Sequence, residues 1–313
     1  MTKDPVSNTN FPKICIVMAT YCGEDFLEKQ IESHLNQTYP HLSFLYIDDA
    51  STDKTWEILT HYQKKDSRIQ LLRNKSNEGY ISTFQKGILA ANSELIALSD
   101  QDDIWLENKI SHLFKELGKH DLIYSDSELI NAKNEKIGKR MSEIKRQIAY
   151  DSPLMYTFGA WAPGHSMLFN RRIIPANFKF PSFVSHDYLI GFLATCNHGM
   201  TYTSEPLVLY RQHHNNAIGA NLKKAPKNPQ HKKNKDLLIQ NRMDLLATLC
   251  PDSLENEKKV FEQLSIDFKG KSLINRLRRS ILTIKHRDKM LAYKGKSALG
   301  NFLYGFKLLF KIY

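Results

Sequence analysis

The chain has 313 residues, is 42% hydrophobic and 25% charged, and carries a formal net charge of +11. That balance belongs to a globular protein and excludes a disordered or fibrous one. No run of about 18 apolar residues occurs, so no membrane-spanning helix is expected.

The predicted elements alternate. KICIVMAT (13–20) is a continuous β-rich apolar run of the kind found in buried parallel strands. Next comes a helical stripe, with Leu27, Ile31 and Leu35 at i, i+4 and i+8. SFLYID (43–48) is a second strand, and Ser51, Thr52 and Asp53 offer N-caps for a helix through about Tyr62. RIQLLRN is a third strand, and NEGY turns into a helix over about 81–91. ELIALS, the helix WLENKISHLFKELGK and the strand DLIYSD (121–126) complete the series. Strand–helix alternation with short links predicts an α/β fold, a mostly parallel sheet flanked by helices.

Beyond Asp126 the pattern loosens. Residues 132–152 are polar and read as a long mobile loop. GHSMLFNRR (164–172) reads as a strand, SHDYLIGFLATCNHG (185–199) as a helix, and MTYTSEPLVLYRQHHNN as two short strands around Pro206. LKKAPKNPQHKKNKD (222–236) reads as a linker, and the text beyond it is helical. The expected division is a catalytic domain over 1–221, with halves at about 12–126 and 127–221, then the linker, then a basic helical extension over 237–313. Charge supports that division. Residues 1–220 hold 23 Lys and Arg against 25 Asp and Glu, whereas 221–313 hold 21 against 8. The basicity belongs to the tail.

In sheets of this kind ligands bind beyond the carboxyl ends of the strands. Thr20, Asp48, Asp49 and the stretch Asp100-Gln101-Asp102-Asp103 all fall at such ends, so they should converge on one crevice. Three carboxylates within four positions repel. A hard divalent cation relieves the repulsion, and Mg²⁺ takes one or two protein carboxylates together with substrate phosphates. A solvated acidic loop that caps the next helix is the plain alternative. Four scattered cysteines without CxxC spacing suit free thiols in a reducing compartment. The opening MTKDPVSNTNFPK lacks the apolar core of a signal peptide. Together these make a cytoplasmic location the expectation.

The ordered motifs Ala19-Thr20-Tyr21, Asp48-Asp49-Ala50-Ser51-Thr52-Asp53, Asn77-Glu78-Gly79, Asp100-Gln101-Asp102-Asp103 and His186-Asp187 resemble the nucleotide-sugar-dependent family-2 glycosyltransferases of GT-A fold. The resemblance covers about residues 12–215. SDQDDIW with YRQHHNN is similar, more narrowly, to bacterial rhamnosyltransferases of cell-surface polysaccharide assembly. It implies that Ala19, Thr20 and Glu24 hold nucleobase and ribose, and that Asp49, with Asp48 beside it, meets the polar edge of the base. It implies contacts from Asp102 and Asp103 to a Mg²⁺ or Mn²⁺ ion and to ribose, with Asp100 in support. His213 or His214 would complete the metal shell, and Arg211 would hold phosphate. Asp187 is the implied catalytic base of an inverting transfer. Trp161 and His165 are acceptor-side candidates; Trp105 reads as packing at a helix start.

The implied partners are a nucleoside diphosphate sugar, for which the narrower likeness suggests dTDP-rhamnose although no motif encodes the donor, and a glycan or lipid-linked acceptor. A non-catalytic nucleotide- or glycan-binding relative is the rival reading. In the tail, Leu273, Ile274, Leu277, Ile281 and Ile284 recur at near-helical spacing among arginines and lysines. Such a helix suits an anionic bilayer at the inner face of the cell membrane; a cap packing its apolar stripe on the catalytic domain is the alternative. Nucleic acid is not expected, because no zinc-finger, RRM or helix-turn-helix pattern occurs.

Overall fold

The computed structural model describes residues 11–213 and 229–310. The chain begins with β1 (Ile14–Thr20), α1 (Leu27–Leu35), β2 (Leu42–Asp48), α2 (Thr55–Lys65), β3 (Ile69–Arg73), α3 (Tyr80–Ala90) and β4 (Leu95–Ser99). It continues with β5 (Ile104–Trp105), α4 (Lys109–Leu117), β6 (Leu122–Asn131), β7 (Lys136–Arg140) and α5 (Met141–Ile144). Then come β8 (Met167–Asn170), α6 (His186–Thr195) and β9 (Met200–Gln212). Five helices follow: α7 (Pro229–Leu249), α8 (Glu255–Lys269), α9 (Leu273–Lys285), α10 (Arg287–Met290) and α11 (Ala298–Lys307).

One sheet has the order β3-β2-β1-β4-β8-β6-β9-β5, with β7 paired to β6. β1 to β4 pair in parallel, and β6 and β9 run with them, while β8, β5 and β7 run against them. Because strand side chains alternate, β1 feeds two cores. Ile14, Ile16 and Met18 meet α1, α2 and α4 on one face, whereas Cys15 and Val17 meet α3 and α6 on the other. Both faces of β1 and β4 are therefore apolar and buried, and polarity is confined to their ends.

The structure departs from the sequence expectation in three places. Residues 136–144, expected within a mobile loop, form β7 and α5; Asp126 anchors them by accepting hydrogen bonds from the Ser142 N–H and hydroxyl. The two strands expected around Pro206 are one strand, β9, whose pairing with β6 shifts register at Asp126 and Pro206. Proline lacks the N–H that an unbroken ladder requires. Of the expected linker, 222–228 lie outside the described residues, as does His214, and 229–236 are helix.

For the C-terminal helices the sequence left two alternatives open. α9 buries Arg279, Ser280 and Thr283 and exposes Leu273, Ile274, Leu277 and Ile281 at 42–67%. α11 lies against it and exposes Leu299, Phe302, Leu303 and Phe306 at 43–67%. The seam between them is polar: Arg279 donates from Nε and Nη2 to the Leu308 carbonyl, both at 3.1 Å, and Ser280 Oγ donates to the Gly305 carbonyl at 2.9 Å. Gly305 permits this approach, since a Cβ there would lie 2.6 Å from Ile284 Cγ1. The apolar stripe thus does not pack on the catalytic domain. Among the described residues no helix is long and apolar enough to cross a membrane.

Candidate active site

The carboxyl ends of β1, β2 and β4 open into a cavity of about 660 Å³, within the range of small-molecule sites. Its rim is conformationally unusual. Cys22 and Ala50 adopt φ of 46° and 61°, and Gly79 has φ of 83°. Positive φ disfavours side chains with a Cβ, so the loops after three adjacent strands are held by their surroundings. Gln101 supplies one clamp: its Oε1 accepts from the Tyr21 N–H at 2.8 Å and its Nε2 donates to the Tyr21 carbonyl at 3.0 Å. That pair ties the acidic turn after β4 to the loop after β1.

Ala19, Thr20, Asp49, Asp100, Asp102, Trp161, His165, Asp187 and His213 all line the cavity, so residues from seven elements and loops meet there. Asp49 is 3% exposed and accepts from the N–H groups of Glu78 and Gly79 at 2.9 and 2.8 Å and from Asn74 Nδ2 at 2.6 Å. It ties the end of β2 to the Asn77-Glu78-Gly79 turn while forming part of the wall. Asp102 Oδ2 lies 2.7 Å from His213 Nε2, so the two meet across 111 positions of sequence. Burial first, then the charges of Asp102 and Asp187, raise the Asp100 carboxyl to about 7.

Four expected site residues do not line this cavity. Asp48 is fully buried and turned inward; it accepts from the Ser51 N–H and hydroxyl and from Arg73 Nε. Glu24 instead accepts the Lys54 N–H at 3.0 Å, while Asp53 accepts the Glu24 N–H, a reciprocal lock at the entry to α2. Arg211 is wholly buried: Nε donates to the Asp102 carbonyl at 2.5 Å and Nη1 to Asn134 Oδ1 at 2.6 Å. A guanidinium so occupied shapes the acidic turn and does not face a phosphate. Asp103 lies behind the wall, with Oδ1 accepting the Arg211 N–H at 3.0 Å.

Asp103 Oδ2 is buried without a hydrogen-bond partner among the described residues. It lies 4.0 Å from His165 Nδ1, which is 3.8 Å from Asp100 Oδ2. Donor atoms of Asp100, Asp103 and His165 all fall within 4.8 Å of one another. The orphaned Asp103 oxygen, the Asp100 carboxylate and the His165 imidazole form a donor set that fits a divalent cation. Asp100 and His165 line the cavity, as do the paired Asp102 and His213, whereas Asp103 is withdrawn from it.

Sequence reasoning passed over Lys109. It is fully buried, its Nζ donates to the His165 carbonyl at 2.6 Å, and it lies 3.1 Å from the centroid of the Trp105 ring. Burial drives Lys109 well down and Asp103 well up, and each opposes the shift of the other. Lys109 is thus an internal counter-charge for the acids. The signal was present: Lys109, Leu113 and Leu117 form the i, i+4, i+8 buried stripe of α4, and lysine on such a stripe demands a partner. Trp105, 2% exposed beneath it, is packing, as expected.

Asp187, at the start of α6, lines the same cavity. Its Oδ1 accepts the Tyr188 N–H at 2.7 Å, and Ser185, the N-cap residue, makes no side-chain cap bond. His186 beside it is 6% exposed and stacks on Phe84 at 4.2 Å. Neither of its ring nitrogens has a partner among the described residues. Gly164 faces both: a Cβ there would lie 3.2 Å from His186 Nε2 and 3.5 Å from Asp187 Cβ. The backbone N–H of Trp161 donates to Tyr150 Oη at 2.9 Å, and Lys145 Nζ lies 4.7 Å from the Trp161 ring. His165, grouped with Trp161 from sequence, sits instead beside the acids; its Nε2 is 2.9 Å from Ser127 Oγ and its ring stacks on Tyr210. Tyr80 and Tyr156 complete the wall.

Solved structures share this architecture, which is of the GT-A type. S. aureus TarS 1-349 in complex with UDP-GlcNAc superposes with a TM-score of 0.59 at 16% identity, covering 94% of this chain and 81% of that one. The mannosyltransferase PcManGT from Pyrobaculum calidifontis in complex with GDP-Man and Mn²⁺ gives 0.52 at 14% identity, covering 96% and 88%. The chain belongs to Glycosyl transferase family 2, whose sequence model matches residues 15–175, and it is therefore a glycosyltransferase. Among relatives, the dTDP-rhamnosyl transferase RfbG of Shigella flexneri is 29% identical over 219 residues, 66% of this chain and 74% of that protein. The UDP-Glc:alpha-D-GlcNAc-diphosphoundecaprenol beta-1,3-glucosyltransferase WfaP of Escherichia coli is 28% identical over 209 residues, 66% and 80%.

Proposed function

We propose an inverting, divalent-metal-dependent transfer of a sugar from a nucleoside diphosphate donor, L-rhamnose from dTDP-rhamnose in the first instance, to a growing cell-surface glycan or lipid-linked acceptor at the cytoplasmic face of the membrane. One observation carries this reading: Asp100 and Asp102 with His213 share a single cavity with Asp187. The name of RfbG supports the donor, and that of WfaP, a diphosphoundecaprenol sugar, supports a lipid-linked acceptor.

Ala19, Thr20 and Asp49 would hold the nucleoside, with the Asp49 carboxylate at the wall available to an N–H of the base. Asp102 and His213 would hold a divalent cation, with Asp100 in support; bound there, it supplies a Lewis acid for the leaving diphosphate. Asp187 takes the proton of the acceptor hydroxyl as that oxygen attacks the anomeric carbon and the bond to diphosphate breaks. The bond from the Tyr188 N–H fixes the direction of its carboxylate. Trp161 offers an apolar face to the acceptor.

The test is a thermal-shift series with dTDP, UDP and GDP, each with and without Mn²⁺, followed by product mass spectrometry with the matching sugar donors. Ligand binding to the folded state raises apparent stability. Stabilisation by a nucleoside diphosphate that requires Mn²⁺ is expected, strongest for dTDP. A shift indifferent to metal would remove the metal from the reading, and preference for another base would reassign the donor.

A further inference from the structure

We propose that the α9–α11 hairpin is an interfacial docking surface for an anionic lipid bilayer, and that it sets the acceptor side of the cavity against the membrane. The proposal deepens the lipid-linked branch of the functional reading. It rests on three observations that are independent of the cavity's chemistry.

The first is polarity. A helix of a water-soluble domain turns its apolar stripe inward, and α9 does the reverse. Its Arg279 and Ser280 are spent on carbonyls of the α11 segment, so rolling the helix over would strand a buried guanidinium. Leu277, Ile281, Phe302 and Phe306 are fixed on the outside.

The second is charge. Residues 271–310 contain ten Lys and Arg and one acid, Asp288. Arg278, Lys285, Lys289, Lys296 and Lys307 are exposed. A basic rim around exposed Phe and Leu complements a surface that is anionic at its headgroups and apolar beneath. It opposes self-association, because pairing two such faces would bring together two segments each of net +9 (10 − 1).

The third is position. The segment 153–162 is shared between the hairpin and the cavity. Tyr156, Ala160, Trp161 and Ala162 line the cavity. From the same segment, Phe158 packs on Tyr304 of α11 with ring centroids 6.3 Å apart, and Gly159 lies against Tyr293, where a Cβ would come within 3.1 Å of the ring. α10 also packs on the turn Pro153–Tyr156. A bilayer bound by the hairpin would therefore be one segment away from the acceptor wall.

The test is co-sedimentation of the full chain with phosphatidylcholine vesicles with and without phosphatidylglycerol. Binding is expected to require phosphatidylglycerol and to fall as salt rises. The double variant Phe302→Ser/Phe306→Ser should lower the partition coefficient about tenfold or more, because each exposed ring contributes apolar burial at the interface. Arg278→Glu/Lys285→Glu should abolish the dependence on phosphatidylglycerol. All these positions are exposed, and circular dichroism and nucleotide-induced thermal shifts should match the wild type. A chain that stays in the supernatant with anionic vesicles overturns the proposal. So does a dimer in light scattering that Phe302→Ser/Phe306→Ser dissolves, since the face would then belong to a second copy. Nucleotide binding is read separately, so failure here leaves the donor-site reading standing, and the reverse.

Discussion

The acidic turn and the C-terminal hairpin place side chains against the grain of folding in opposite senses. Around the turn, Asp103 and Lys109 are ionisable side chains with no exposure at all. In the hairpin, Leu273 and Ile281 are aliphatic side chains more than half exposed. Burying a charge is unfavourable unless it is paired, and leaving leucine in water forgoes stabilisation of about 1.5–3 kcal/mol per side chain. The comparison teaches that the two regions are explained by what they meet. On the proposed readings a cation would complete the turn and a bilayer surface the hairpin, and between them lies the 153–162 segment that touches both cavity and hairpin.

The sharpest way to break the first half of the comparison is to remove the acids at the cavity wall. Asp102→Ala and Asp187→Ala should each lower kcat about 10³-fold or more, through loss of charge stabilisation and of the base respectively. The fold should survive in both, and Asp187→Ala should still show the nucleotide-induced thermal shift. Full activity in either variant would remove that residue from the reaction. Next in size is Lys109→Met, which deletes the buried counter-charge. A loss of about 3 kcal/mol in chemical denaturation is expected, and unchanged stability would show that the ammonium compensates nothing.

A smaller effect is expected from Gly164→Ala. The new methyl must press on His186 and Asp187, so kcat should fall about tenfold with the KM for donor unchanged. A rise in KM alone would place Gly164 on the donor side. The smallest is a pH effect at His34, a buried residue far from solvent whose Nδ1 meets Tyr46 Oη and whose Nε2 meets Ser99 Oγ. Burial, then the charge of Lys109, pushes its pKa well below 6.5. A depressed basic group stays neutral in the fold while the unfolded chain takes up a proton. Stability should therefore be lost as pH falls below about 6.5, and His34→Gln should flatten that slope in urea titrations at pH 5 to 7.

Much of the nucleotide half was legible in sequence. β1 to β4 and their helices fall within about three residues of expectation through α3, because buried parallel strands and amphipathic helices carry strong periodic patterns. Convergence of Thr20, Asp49, Asp100 and Asp102 followed from a general rule about strand ends, whereas Asp48 and Asp103, expected with them, do not line the cavity and Asp187 came from the family resemblance. Side-chain direction was not legible. Asp48 and Asp49 are neighbours at the end of a strand, so they point to opposite sides; one enters the core and the other the cavity wall. Arg211 and His213 differ by two residues, yet one is consumed by the Asp102 carbonyl and the other faces the Asp102 carboxylate.

The sequence by itself determined the strand–helix order, the acids at the strand ends and a basic tail with an apolar stripe, because these depend on local periodicity and on residue chemistry. Tertiary structure decided which acids reach the cavity, that Lys109 lies beneath them, and that the stripe of α9 faces outward. Those outcomes depend on which polar groups find partners across long stretches of chain: Arg279 on Leu308, Lys109 on His165, His213 on Asp102. No local pattern encodes such pairings, because their free energy comes from desolvation shared by residues distant in sequence.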